Sequence, residues 1–425
     1  MIKTFKFILL IILTRNISVY AQTEEKLTLE QCYKSAIDYS PLTNQKTLLK
    51  QSSEANIRAL NAGYFPQAEI NAQATYQSDV TKIPISIPKL NIPTLSKDQY
   101  KATLDFRQLI FDGTTISKQK QLQISSSDAD QQKIELDIQK LKEQINTIYL
   151  NVLLIDENIK ITNLLKEDIN TNIDKMETMV KNGTALKKNL DVLQASLLNS
   201  DQILIELKSN RRGLIDMLSV LLGKTLDENI ILNIPEVKYT KPDLASNRPE
   251  FKLFDIQKNT LQNQSDLIST GNMPKVYFFA TGGDGKPGLN FLEDEFKWYY
   301  IAGIKLTVPL SNWTSIKEQK QSIEIQKKIV DKQKENFSIN NQVLIRQQIQ
   351  EIEKYQMLLD KDKEIIAKRK EIKEAASVQL LNGVITSDDY LTELNEENQA
   401  MQSLKLHEMQ LLQAKINYIS LTGNN

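Results

Sequence analysis

Hydrophobic and polar residues alternate with two different periods along this chain. Residues 27–63 and 248–271 carry apolar side chains at helical spacing, which predicts a helix in each segment. After each helix, every second residue is apolar, and this pattern is typical of a strand with one apolar and one polar face. The alternation predicts four strands of about ten residues, enough to cross a bilayer when tilted. They pair as about 66–80 with 99–111 and about 274–282 with 298–310, joined by loops at 81–97 and 282–297.

A very long helix is predicted after each strand pair. Residues 116–181 contain neither Gly nor Pro, and neither do residues 314–381. At about 1.5 Å of rise per residue, each helix would be roughly 100 Å long. From Ile134 to Ile159 the apolar residues recur at alternating steps of four and three, which is the heptad seam of coiled coils. A returning helix is predicted after each long one, at 184–222 and 384–422.

An Asn-Gly pair separates each long helix from its returning helix. Glycine can adopt the left-handed conformation that ends a helix, so each pair predicts the bend of an antiparallel helical hairpin. The residues at the two tips are Asn182, Gly183, Thr184 and Leu186, and Asn382, Gly383, Val384 and Ile385.

The two halves of the chain repeat the same landmarks. Asn182-Gly183 recurs 200 residues later as Asn382-Gly383, and Gly223 recurs at the same offset as Gly423. Upstream the offset changes by eight residues between the paired strands, where a loop absorbs the difference at little cost. The sequence therefore predicts an internal duplication, with structural repeats at residues 22–240 and 241–425.

The N-terminus has the features of a secretory signal peptide over residues 1–21. Lys3 and Lys6 precede a short apolar run, and Val19-Tyr20-Ala21 offers a cleavage site after Ala21. An N-terminal membrane anchor is the rival interpretation, but the apolar run is far shorter than the roughly 20 residues that a spanning helix needs.

Composition argues against several functions. The 53 basic residues balance 53 acidic ones, so the chain lacks the positive charge typical of nucleic-acid binding. One Cys and one His form neither an internal disulfide nor a zinc site. We therefore expect no nucleic acid, metal or other cofactor, no catalytic residues, and a protein that is not an enzyme.

Four strands cannot close a barrel by themselves. In hydrocarbon each unpaired backbone group at an open edge costs several kcal/mol, so a membrane-spanning sheet of this size must be completed by other copies of the chain. Three chains would supply twelve strands, an even number within the known range of outer-membrane barrels.

The duplicated order of helix, strand pair, long helix, turn and returning helix resembles the TolC-type outer-membrane efflux protein family over residues 27–423. The supporting stretches include "FRQLIFDG", "NGTALKKNLDVLQASLLNS" and "NGVITSDDYLTELNEENQA". The resemblance implies a mostly α-helical fold with a small β part. Long coiled-coil hairpins would form an α-barrel, and four transmembrane strands per chain would contribute to a trimeric 12-stranded β-barrel.

The resemblance also implies a function. The homotrimer would be the outer-membrane duct of a tripartite efflux or type I secretion system, in contact with outer-membrane lipid and extended deep into the periplasm. It would conduct substrates passively from an inner-membrane pump, proton-driven or ATP-driven, and the hairpin tips would dock to a periplasmic adaptor. Leu186 and Ile385, as exposed apolar residues, would insert between adaptor helices.

Seven further residues are candidates for the pore and the membrane interface. By resemblance, Asp191, Asp388 and Asp389 would ring a narrow pore entrance, while a solvated helix face or compensation of the helix dipole is the alternative. Four aromatic residues are typical of a membrane-interface girdle, with cross-strand packing as the alternative. They are Trp298, Tyr299, Tyr300 and Trp313.

Two other functions remain open from the sequence. An exported periplasmic adaptor also contains a helical hairpin, but such an adaptor has one hairpin flanked by small β-domains. A secreted coiled-coil structural protein without a pore would leave the strands unexplained. By the same resemblance, the inner-membrane partner is expected to carry out the main selection of the substrate.

Overall fold

The computed structural model describes residues 26–81, 94–237 and 247–423. The predicted signal peptide lies outside the described residues. The helices are α1 Leu29–Tyr39, α2 Pro41–Asn61, α3 Thr115–Lys181, α4 Lys187–Leu222, α5 Pro249–Ser269, α6 Trp313–Leu381 and α7 Ser387–Thr422. The strands are β1 Lys26–Leu27, β2 Gln67–Tyr76, β3 Asp98–Phe111, β4 Ile231–Leu232, β5 Lys275–Lys286 and β6 Lys297–Thr307.

The same order of elements occurs in both halves, as the sequence predicted. In each half a helix leads through one short 3-10 turn into two strands, a long helix and a returning helix. That the halves arose by duplication stays a prediction. No helix in the described parts of the chain contains an apolar run long enough to cross a bilayer.

The first predicted helix, residues 27–63, is in fact two helices. The break falls at Ser40, whose backbone is extended, and Pro41 is the first residue of α2. Proline lacks an N–H and disfavours a helical conformation in the residue before it, so α1 cannot continue through this position. The Ser40 hydroxyl accepts a hydrogen bond from the Leu42 N–H at 3.3 Å and caps α2.

The chain divides into two compact units. The sheet unit contains residues 37–143, 238–358 and 410–425, as far as these are described, and the hairpin unit contains residues 26–36, 144–237 and 359–409.

The sheet unit contains four antiparallel strands in the order β2-β3-β5-β6. Ile70 lies opposite Leu104, and Phe106 lies opposite Ala280. Because directly opposite residues share a face, most apolar positions of the four strands fall on one face, while Phe279 and Ile301 fall on the other. Ile70 is 83% exposed, and several other large apolar side chains of this face are also exposed. They include Tyr76, Leu104, Phe278, Trp298, Tyr300, Ile304 and Leu306.

Strand β5 ends four residues later than the sequence predicted, because the Gly-rich segment continues the ladder. Gly283 lies opposite Thr103, and a Cβ placed on it would sit 2.2 Å from the backbone oxygen of Ala102. Glycine here allows β5 to approach β3 closely, a role that a composition-based loop prediction misses. The predicted ends of β2 and β6 were each too late, by four and three residues.

The hairpin unit is held by an apolar core between α3, α4, α6 and α7. On α3 the buried residues follow steps of four, four and three, which places them on one face of the helix. Complete burial of each Leu or Ile side chain contributes about 1.5–3 kcal/mol. The core residues are Leu165, Ile169, Ile173, Met176, Leu193, Ala376, Leu380, Tyr390, Leu391 and Leu394.

Candidate functional site at the hairpin tips

The first hairpin tip is a Schellman turn. Gly183 has a φ of +76°. Its N–H donates to the Val180 carbonyl at 3.0 Å, and the Thr184 N–H donates to the Met179 carbonyl at 2.9 Å. These two bonds satisfy carbonyls that the end of α3 would otherwise leave unpaired, so the helix ends here as predicted.

The second hairpin tip has the same turn. Gly383 has a φ of +70°. Its N–H donates to the Leu380 carbonyl at 3.0 Å, and the Val384 N–H donates to the Gln379 carbonyl at 2.9 Å. A Cβ added to either glycine meets no atom within 4 Å. The backbone conformation, rather than lack of space, therefore requires glycine at both tips.

The exposed apolar residues at the tips are not the pair that the sequence indicated. Leu186 is 72% exposed, as expected, but Ile385 packs against the hairpin core and was wrongly predicted to be exposed. Ala185, two residues after Gly183 as Ile385 is after Gly383, packs against the same core. The chain has already turned back toward the helices at this position. Val384 is the exposed apolar residue of the second tip, at 70%.

The returning helix α7 begins with a capping box. The Thr386 hydroxyl accepts from the Asp389 N–H at 3.3 Å, and the Asp389 carboxylate accepts from the Thr386 N–H at 2.9 Å. The hydrogen bonds from Thr386 hold the pKa of Asp389 below its usual range. Asp389 therefore has a structural role at the start of α7, and the neighbouring Asp388 is exposed in the same turn.

The returning helix α4 begins without such a cap. Its N-cap is Leu186, a side chain with no hydrogen-bonding group, and Lys187 and Lys188 occupy its first turn. Asp191 is exposed one turn further along. The structure thus places the three candidate pore acids near the starts of two different helices, and their role at a pore entrance stays a prediction.

The predicted aromatic girdle divides between the two faces of the sheet. Trp298 and Tyr300 are 71% and 70% exposed on the apolar face, with ring centroids 5.8 Å apart. Tyr299 lies between them in sequence and therefore on the opposite face, where the Lys101 Nζ is 5.8 Å from its ring centroid. Trp313 is the first residue of α6, and the position of its ring lies outside what the structure describes.

The sequence did not identify a polar cluster between the hairpins. The Asn172 amide donates to the Tyr390 hydroxyl at 2.8 Å. The Lys373 ammonium lies 3.0 Å from Asp168 and 3.2 Å from Glu397. Burial lowers the pKa of Lys373, but the hydrogen bonds and charges of its two acidic partners outweigh burial and raise it. Because the partners are far apart in sequence, only the packing of the helices brings them together.

A second polar cluster lies on the polar face of the sheet. The Asp105 carboxylate accepts hydrogen bonds from Asn71 at 2.7 Å, Thr103 at 3.0 Å and Thr281 at 2.5 Å. These residues border a depression of about 270 Å³, which Lys101 also lines. Within residues 26–81, 94–237 and 247–423, no group of three or more His, Cys, Asp or Glu side chains is placed to hold a metal ion.

Long helical hairpins and a short four-stranded sheet with an exposed apolar face also occur together in solved outer membrane channels. Three solved structures with this fold show the likeness. VceC, an outer membrane protein of Vibrio cholerae, gives a TM-score of 0.69 at 16% identity, over 93% of this chain and 96% of that chain. The Campylobacter jejuni outer membrane channel CmeC gives a TM-score of 0.68 at 14% identity, over 93% of this chain and 85% of that chain. The open state of the Neisseria gonorrhoeae outer membrane channel MtrE gives a TM-score of 0.68 at 12% identity, over 93% of this chain and 88% of that chain.

The family match agrees with the fold. Residues 33–224 match the family described as outer membrane efflux protein. The matched segment is less than half of the chain. The chain as a whole has the fold of TolC-type channels, and the resemblance inferred from the sequence is confirmed. The matched family and the fold are those of outer membrane channels. A comparison with curated proteins finds no match.

Proposed function

We propose that three copies of this chain form a duct through the outer membrane of a Gram-negative cell. The duct passively conducts substrates from an inner-membrane pump, with a periplasmic adaptor docked at the hairpin tips. The observation that carries the proposal is the four-stranded sheet, with its exposed apolar face and its two open edges.

The apolar face of the sheet favours contact with lipid. Its large side chains, such as Ile70, Leu104 and Ile304, are exposed in the single chain. Removing each such side chain from water is worth about 1.5–3 kcal/mol, so a broad face of this kind requires an apolar environment. The opposite face carries Glu69, Asp105 and other polar residues, which suits the wall of a water-filled passage.

The open edges favour closure by identical copies. Strands β2 and β6 are the outer strands of the sheet, and each pairs on one side within the chain. If β6 of one copy pairs with β2 of the next, three copies close a twelve-stranded wall and satisfy both edges of every sheet.

Exposed apolar residues on the returning and long helices support the same assembly. Leu198 and Ile205 on α4 are seven residues apart, and so are Ile365 and Ile372 on α6. This is the spacing of a coiled-coil seam, and all four side chains are exposed in the single chain. Contact between α4 of one copy and α6 of the next would cover both seams.

The first experiment measures assembly and conductance of the full chain. The protein is extracted from outer membranes in detergent, and its mass is measured by light scattering before and after heating. It is then added to planar bilayers. We expect a heat-sensitive trimer that conducts ions. A water-soluble monomer would contradict the proposal, and a trimer that inserts without conducting would support a structural protein without a pore.

The second experiment tests the pairing of the edges. Cysteines replace Ala72 on β2 and Ala302 on β6, and a short bis-maleimide is added to the assembled protein. We expect covalent dimers and trimers between chains. A matched control with cysteines at Ala72 and Ala280 places the second thiol on the inner strand β5, and it should give far less cross-linking. Equal cross-linking in both variants would contradict edge pairing.

The native thiol does not interfere with this experiment. Cys32 is completely buried, and its burial raises the pKa of the thiol to about 12. Because the thiolate is the reactive form, we expect almost no labelling of wild-type protein by a maleimide at pH 7, as measured by mass spectrometry. Rapid labelling of Cys32 in the folded protein would contradict its burial.

A further inference from the structure

We propose that the polar face of the sheet makes the membrane portion of the passage favour anions, so that anionic solutes are its preferred cargo. This inference rests on the proposed duct, in which the polar face lines the lumen. It is based on the charges that the strand register brings to that face.

The strand register places more basic than acidic side chains on the polar face. Lys101 lies opposite Gly285, which lies opposite Lys297, and Lys305 lies opposite Tyr277. Directly opposite residues share a face and positions two apart along a strand return to it, so the odd-numbered positions of this sheet fall on the polar face. Phe111 is an exception, because the register shifts between Leu109 and Phe111 and pairs Phe111 with Val276. The basic residues there are Lys101, Arg107, Lys275, Lys297 and Lys305.

Two carboxylates share this face. Glu69 lies on β2 and Asp105 lies opposite it on β3, so the face carries a net charge of +3 in each chain. The Lys297 ammonium lies 3.6 Å from both Glu293 and Glu295, which offset its charge. The remaining residues still leave four cations against two anions.

Aromatic rings lie beside two of these cations. The Arg107 guanidinium lies 5.6 Å from the Tyr277 ring centroid, and the Lys101 ammonium lies 5.8 Å from that of Tyr299. Cation–π contacts leave the positive charge in place, whereas ion pairs would cancel it. Asp105, by contrast, accepts hydrogen bonds from three neutral donors, which engage much of its capacity to attract a passing cation.

A narrow passage amplifies such an excess of charge. Low-dielectric walls focus the field of the lining residues, so the local concentration of anions rises and that of cations falls. Salt screens this effect over a Debye length of about 10 Å at 0.1 M, so the preference should be strongest at low ionic strength. If Asp191, Asp388 and Asp389 line the entrance, they favour cations there, and the test must isolate the sheet.

The test compares charge variants of the assembled trimer in planar bilayers under a potassium chloride gradient near 0.1 M. The reversal potential gives the chloride-to-potassium permeability ratio. We expect Lys305→Gln to lower this ratio by about 2-fold and Glu69→Gln to raise it by about 2-fold, because each change removes one ring of three charges. Lys305→Arg keeps the charge and should leave the ratio unchanged.

The outcomes separate this inference from the proposed duct. Opposite shifts in the Lys305→Gln and Glu69→Gln variants support it. Conducting channels whose ratio is the same in both variants and in wild type contradict the inference and leave the duct intact. A wild-type trimer that inserts but never conducts contradicts the duct itself, and with it the inference.

Discussion

The two hairpin tips share one turn but differ in the helix that follows. Both tips end their long helix with a glycine in the left-handed conformation and the same pair of backbone hydrogen bonds. The second tip continues into a capping box between Thr386 and Asp389, while the first continues from Leu186 into two lysines. The turn geometry is therefore common to both hairpins, and the stability of the next helical turn is not.

The difference in stability between the first turns of α4 and α7 can be predicted from general values. A good N-cap contributes about 1 kcal/mol relative to an apolar residue. A charge of the wrong sign in the first turn costs about 0.3–1 kcal/mol by its interaction with the helix dipole. The first turn of α4 should therefore open more often than the first turn of α7, and hydrogen exchange of the two tip peptides should show it.

The largest expected effect comes from replacing the glycines. Gly183→Val and Gly383→Val each force a β-branched residue into a positive φ, at a cost of about 1–3 kcal/mol. Because the turn is common to both tips, we expect similar losses of protection from hydrogen exchange at the two sites. We also expect loss of efflux, although the trimers still assemble. Gly→Asn at the same positions is the matched control and should cost less, since Asn tolerates this conformation better.

Efflux and hydrogen exchange report on different parts of this prediction. If both valine variants transport as well as wild type does, the tips are not the docking site. If only one tip loses protection, the two turns are not equivalent.

A smaller effect is expected from removing the cap of the second tip. Thr386→Ala deletes the hydroxyl that accepts from the Asp389 N–H, and we expect the first turn of α7 to lose about 1 kcal/mol. Hydrogen exchange followed by mass spectrometry measures the change. Thr392→Ala, a change further along the same helix, serves as the control. Equal losses in the two variants would show that the capping box does not stabilise this turn.

The reverse change should stabilise the first tip. Leu186→Asp supplies a cap and a favourable charge at the start of α4, and we expect a gain of about 1 kcal/mol in its first turn. The same experiment tests docking, since Leu186 is the exposed apolar residue of this tip. A more stable helix with reduced efflux would indicate that the leucine is retained for a partner. Unchanged hydrogen exchange in the first turn of α4 would contradict the explanation that this turn is less stable because it lacks a cap.

The smallest effect is a response to acid at the second tip. The folded-state pKa of Asp389 lies below its usual value of 3.8, because Thr386 donates hydrogen bonds to the carboxylate. Its contribution is therefore present at neutral pH and is lost as the pH falls below about 3.8 through the folded-state value. NMR of the Thr386 amide should show faster local opening in this range. A comparable change in the Asp389→Asn variant would rule out this carboxylate as the cause.

Much of the fold could be predicted because its signals are local. The predicted helix 116–181 differs by one residue from α3, Thr115–Lys181, since the segment has no helix breaker and has a heptad seam from Ile134 to Ile159. Two features that the sequence analysis did not identify also had local signals. Alternation along β6 already separates Tyr299 from its neighbours, and the spacing of Thr386 and Asp389 is that of a capping box.

Other features depend on residues that are distant in sequence. Asp105 meets Thr281 only because β3 pairs with β5 in one particular register, and Asn172 meets Tyr390 only through the packing of two hairpins. The extension of β5 through Gly283 likewise depends on how closely β3 approaches it. None of these pairings follows from periodicity within a single segment.

The open edges of β2 and β6 make the unassembled chain vulnerable. In a single chain before assembly of the proposed duct, β2 and β6 each expose a row of unpaired peptide groups beside the apolar face, and any extended polypeptide nearby can pair with them. The yield of assembled protein should therefore depend on how fast other copies of the chain pair with these edges compared with unrelated polypeptides. A short synthetic peptide with the sequence of β2 should inhibit assembly, because it would pair with the edge of β6 that the next copy of the chain would otherwise occupy.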